Sequence, residues 1–107
     1  MDFKQYDESD LRSTEYREDK VYPWEFIANV AGENADLFNH EDVWVDNNEI
    51  GRRLTELGAV SKGVQLDTES ACFYAYFKTR AVGEAFLKKL SAYISQKAGL
   101  LGRAKSF

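Results

Sequence analysis

Apolar and polar positions alternate along this chain with two different periods. From Ala81 to Ala98, the residues Val82, Phe86, Leu87, Leu90, Tyr93, Ile94 and Ala98 recur at helical spacing opposite Glu84, Lys88, Lys89 and Gln96. That pattern predicts an amphipathic helix, stopped by Gly99-Leu100-Leu101-Gly102. Ile50, Leu54 and Leu57 predict a second helix. Asp46-Asn47-Asn48-Glu49 opens it with an acidic N-cap and a Glu placed to reach back, and Gly58 closes it. Val64 and Leu66, then Cys72-Phe73-Tyr74-Ala75-Tyr76-Phe77, read as two antiparallel strands joined by the polar turn Asp67-Thr68-Glu69-Ser70. The second of these is expected to be central and buried on both faces.

Earlier in the chain the period is less decisive. Val21 to Ala31 suits a helix starting at Pro23 or a strand, and its β-branched and aromatic content favours the strand. Ala35 to His40 reads as a short helical turn, and Val43-Trp44-Val45 as a short extended piece. Residues 1–20 mix acids, bases and small polar residues, and their isolated Phe3, Tyr6, Leu11 and Tyr16 build no stripe. A flexible acidic arm is therefore expected there, followed by one domain over 21–102 and a short basic tail over 103–107. The element order, roughly strand–helix–strand–strand–helix, predicts an α+β fold: a small antiparallel sheet with two helices packed on one face.

Composition supports a packed core without a cofactor. The chain has 107 residues, 44% hydrophobic and 14% aromatic, enough for one domain. Its single cysteine, Cys72, allows no internal disulfide, which fits a reducing compartment. The acidic N-terminus lacks the features of a signal peptide, and no apolar run approaches a bilayer-spanning length. A cytoplasmic location is the expectation. The formal net charge of −4 is unevenly spread: residues 1–50 carry 14 acids and 4 bases, and residues 51–107 carry 4 acids and 10 bases. Such asymmetry marks an interaction surface unless folding interleaves the two halves.

Catalytic machinery is hard to assemble from these residues. One His and one Cys, far apart in sequence, fall short of a zinc set. His40 beside Glu41 and Asp42 reads as an ordinary surface histidine, and Cys72, in the most apolar stretch, as inert packing. Asp67 and Glu69, two apart, would share one side of an extended segment, yet at a turn they are expected to be solvated. No phosphate-cradling glycine pattern is present. No catalytic residue, metal or cofactor is expected.

Two binding classes remain. Phe73 to Phe77 followed by the helix with Phe86 and Leu90 looks superficially like the third strand and second helix of an RNA-recognition motif, which stacks bases on an exposed sheet. The strand lacks that motif's basic residue and glycine, and the acidic chain opposes phosphate. A nucleic-acid partner is thus disfavoured. Protein binding fits more features. Trp24 and Trp44 lie beside acids, and Glu41, Asp42, Asp46, Glu49, Asp67 and Glu69 could present an acidic face to a basic partner, such as a nuclease toxin. These eight residues are the candidate partner-binding set. Homodimerisation through the sheet edge or the last helix stays open.

The segment Val64-Gln65-Leu66-Asp67-Thr68-Glu69-Ser70-Ala71-Cys72-Phe73-Tyr74-Ala75-Tyr76 resembles a stretch of small bacterial immunity proteins of the polymorphic-toxin group numbered fifty-one. The similarity spans about residues 46–95: a helix, a strand ending in an Asp-x-Glu turn, a strand with an F-x-A-Y core, and a closing helix. Before that helix, Val43-Trp44-Val45-Asp46 inverts the order of the family's aromatic–acidic–tryptophan signature. The resemblance implies a non-catalytic cytoplasmic inhibitor that binds and blocks a cognate toxin. The alternative is a small ferredoxin-like nucleic-acid-binding domain or a phage-type inhibitor.

Overall fold

The computed structural model describes residues 3–13 and 21–104. After a 3-10 turn at Glu8–Asp10, the elements are β1 (Arg12–Ser13), β2 (Trp24–Ala28), α1 (Val30–Glu33), α2 (Ala35–Phe38), α3 (Asn47–Glu56), β3 (Val64–Leu66), β4 (Phe73–Phe77) and α4 (Arg80–Ala104). The four strands form one antiparallel sheet in the order β1-β2-β4-β3, so β3 returns beside β4 after crossing from β2 through α3. This is the expected α+β architecture, with α3 and α4 packed over one face of the sheet.

Side-chain alternation shows which face that is. Phe26 pairs with Ala75, Ala28 with Phe73, and Val64 and Trp24 flank Phe77, all on the helix-covered side. Phe73 and Phe77 both meet Phe86 of α4, with ring centroids 6.1 and 5.5 Å apart. Ile50 and Leu54 of α3 and Leu87, Leu90 and Ile94 of α4 complete the buried cluster. Gly83 explains how closely α4 approaches: a Cβ there would lie 2.9 Å from both Leu11 Cδ2 and Phe77 Cδ2, inside contact distance. Bare backbone is what fits at that crossing.

Several expectations need correction. β4 is central, but only Phe73, Ala75 and Phe77 are buried; Tyr74 and Tyr76 lie on the opposite face with Ile27, which is 46% exposed. Among the described residues helices cover one side alone, which leaves Tyr74 and Tyr76 only half-buried. Cys72 shares the side of Tyr74, is half-buried and stands outside the core cluster.

Residues 3–13 are docked and do not form a free arm. Tyr6 is buried and meets Phe26 edge-on at 5.1 Å, Leu11 is buried against α4, and β1 pairs with β2. Two isolated apolar residues suffice here because Asp7 and Asp10 hold the 3-10 turn with a reciprocal capping box. Residues 14–20 of the expected arm lie outside the described residues. Finally, α4 does not stop at Gly99 but continues to Ala104. A helical glycine costs about 1 kcal/mol relative to alanine, which weakens a helix without ending it. Of the expected basic tail, residues 105–107 lie outside the described residues.

The α3 boundaries follow their sequence signals, except that the Glu49 carboxylate binds Arg52 and Arg53 in place of reaching back to the N-cap. The Asp46 carboxylate accepts the Glu49 N–H at 2.9 Å. At the other end Gly58, at φ +76°, donates to Thr55 O and Ala59 N–H donates to Leu54 O, the paired bonds of a Schellman ending. Leu57, however, points outward and is 66% exposed, so it leaves the apolar face that Ile50 and Leu54 share. Among the described residues no helix is long and apolar enough to cross a membrane.

Candidate functional site

The largest exposed aromatic is Trp44, 83% exposed, next to Val43 at 59%. A solvated indole forfeits most of the apolar burial that a ring of its size can gain, so folding alone does not explain its position. Val43-Trp44-Val45, expected as a short extended piece, is the irregular crossing between α2 and the N-cap of α3. That crossing borders a cleft of about 570 Å³ whose wall includes Asn29, Glu41, Asp42, Trp44, Asp46 and Ser70.

Segments that line the cleft are tied together by a buried amide outside its lining. Asn47, the first residue of α3, accepts the Ala31 N–H at 2.9 Å and donates to Asn29 Oδ1 (3.0 Å) and to Ser70 O (2.9 Å). One side chain thus ties the end of β2, the start of α3 and the β3–β4 turn together. Asn29 in turn caps α1 by accepting the Gly32 N–H at 2.9 Å. Beside it, the Asn48 side chain lies 2.9 Å from the Thr68 hydroxyl and fixes the same turn. Satisfied buried amides of this kind specify one geometry, since any unpaired donor or acceptor would be costly.

Glu41, which borders the cleft, belongs to a cluster of ion pairs whose other members lie outside the lining. Arg53 makes a two-pronged contact with Glu41, Nη2 to Oε1 at 2.7 Å and Nη1 to Oε2 at 2.9 Å. Lys97 Nζ reaches Glu41 Oε2 at 2.6 Å, and Arg53 also donates to Tyr93 Oη (3.1 Å) and Glu49 Oε1 (3.2 Å). Arg52 binds Glu49 and Glu56 on the outer side. Arg53 hydrogen bonding, aided by Lys97, holds the Glu41 carboxyl down at about 2 despite some desolvation. Arg52 above all, then Arg53, lower Glu49 to about 2 as well.

The eight candidate residues therefore separate. Glu41, Asp42, Trp44 and Asp46 come together at the cleft. Glu41 and Glu49 are neutralised within the fold, so the acidic face is smaller than the sequence implies. Among the described residues Asp42 makes no ion pair, and Asp46 spends one oxygen on its helix cap. Asp67 and Glu69 are exposed on the β3–β4 turn, where Glu69 pairs through its backbone with Cys72. Trp24 belongs elsewhere: it is half-buried on the helix side of the sheet, with the Arg80 guanidinium 5.7 Å from its ring centre.

The sequence does not mark Asn29, which lines the cleft, or Asn47, Arg53 and Lys97, which bind residues that line it. Only the Glu49–Arg53 pair, four apart on one helix, carries a sequence signal. Among the described residues no group of three or more His, Cys, Asp or Glu is placed to hold a metal ion. No family model matches the chain, and no curated protein and no solved structure matches it.

Proposed function

We propose that this protein is a binding module that docks a basic protein partner at the Trp44 cleft, acting as an inhibitor of the immunity or antitoxin type. The observation that carries the reading is the solvated indole of Trp44 beside Asp42, which makes no ion pair among the described residues. An exposed tryptophan over a cleft is the form taken by interface anchors, which gain their energy when a partner desolvates them. Asp42 and Asp46 would favour a cationic partner and speed its approach. The resemblance of residues 46–95 to toxin-immunity proteins supplies the inhibitor role, and a basic toxin such as a nuclease suits the charge.

The test begins with a protein captured from the source cell by the wild-type chain and then purified. Its affinity is compared for wild type, Trp44→Ala and Tyr74→Ala. The reading expects a roughly 30-fold or greater loss for Trp44→Ala, the scale of a hot spot, and little change for Tyr74→Ala. Equal affinity of Trp44→Ala and wild type would defeat it.

A second reading has its own observation. Tyr74 and Tyr76 project from the sheet face opposite the helices, as base-stacking rings do in single-strand binders. It expects salt-sensitive retention on single-stranded oligonucleotide, lost in Tyr74→Ala and unaffected by Trp44→Ala.

A further inference from the structure

We propose that Glu41 is a positioning residue: bound by Arg53 and Lys97, it holds the Trp44 segment as a preformed platform in the free protein. The inference rests on the docking role given above to Trp44. Between Phe38 and the Asp46 cap the chain runs through seven residues with no regular structure. A segment of that kind is ordinarily mobile. Here it is pinned at intervals. Phe38 is buried and its ring stacks on Tyr93 at 6.3 Å. Three residues on, Glu41 is bridged to α3 through Arg53 and to α4 through Lys97. Val45 then packs against the core, and Asp46 caps α3. Only Asp42, Val43 and Trp44 lie free between the Glu41 and Val45 anchors.

The geometry of the pairs suits this task. Arg53 is locked before it meets Glu41, because Glu49 and Tyr93 also accept its hydrogen bonds. The two-pronged contact sets direction as well as distance, which a single lysine contact does not. Side chains of Glu41, Arg53 and Lys97 are each about one-fifth exposed, so salt screens them less than it screens surface pairs. The groups facing Glu41 are Arg53 from α3 and Lys97 from α4, with Tyr93 and Glu49 behind Arg53. A preformed anchor loses less conformational entropy on binding than a loop that must first order.

Backbone nitrogen relaxation on the free protein tests this without any partner, so failure of the docking role and failure of this inference are separable. In wild type, order parameters over residues 42–44 are expected near the rigid value of about 0.85. In Glu41→Gln they are expected to fall below about 0.6, with β2 and β4 unchanged. If Glu41→Gln does not give a folded spectrum, Arg53→Lys decides by the same readout, since it keeps the charge but loses the fork. A fall over residues 42–44 in that variant supports the inference. Values below about 0.6 in wild type, or no fall in the informative variant, overturn it.

Discussion

Residue by residue, the fold separates side chains that build it from those it leaves available. Trp24 and Trp44 look alike in sequence, each beside acids, and only burial tells them apart. Trp44→Ala is expected to change unfolding free energy by no more than about 0.5 kcal/mol, as exposed sites do. Asn47→Ala behaves oppositely. It strips the Ala31 N–H of its partner, at roughly 1–3 kcal/mol for a group left unsatisfied, and removes one of the two hydrogen bonds to the Ser70 carbonyl. Urea unfolding of both variants checks the contrast. A large loss for Trp44→Ala would make the indole a structural residue and remove the case for docking. Nothing in the sequence marks Asn47 beyond its place in a helix-opening tetrad. Its importance comes from three backbone segments that only the tertiary fold brings within reach.

Among the elements, those with local causes were legible in advance. α3 shows its cap at Asp46 and its ending at Gly58, and α4 shows a repeating apolar face. The β3–β4 hairpin also stands where the polar turn places it. Residue type favours a strand in Val21–Ala31, and it forms over Trp24–Ala28. Less legible were the docking of residues 3–13 and the open face of β4, since both depend on which surfaces other elements cover. The Glu41 cluster is likewise non-local, joining residues 12 and more positions apart. It carries a pH signature. Glu41 is held at about 2, below the roughly 4.3 of an unfolded chain. The unfolded state therefore takes up its proton first as pH falls. The stabilisation is fully present above about pH 5 and is lost as pH drops through the folded value. The stability gap between wild type and Glu41→Gln is expected to narrow between pH 6 and pH 2.5, measured by urea midpoints. A gap that stays constant would mean that Glu41 acts through packing alone.

For the whole molecule, the two charge halves of the sequence are interleaved in part. Lys4 pairs with Glu33 within the first half, but Glu41 is neutralised by Arg53 and Lys97 of the second. What remains acidic at the cleft is chiefly Asp42 and Asp46. The same interleaving makes the N-terminal residues part of the domain. A chain beginning at Arg12 loses Tyr6 and Leu11 from the core and is expected to lose several kcal/mol, by analogy with truncating two large apolar side chains. Unchanged thermal unfolding of that shortened chain would contradict the docking of residues 3–13. The central claim is that the partner meets this protein at the Trp44 cleft, and amide chemical-shift mapping of the purified complex tests it most directly. The account predicts that the largest shifts cluster at Asn29, at residues 41–46 and at Ser70 and Ala71, with the Trp44 indole N–H among them. Shifts centred instead on Ile27, Tyr74 and Tyr76, with the Trp44 resonance unmoved, would contradict it.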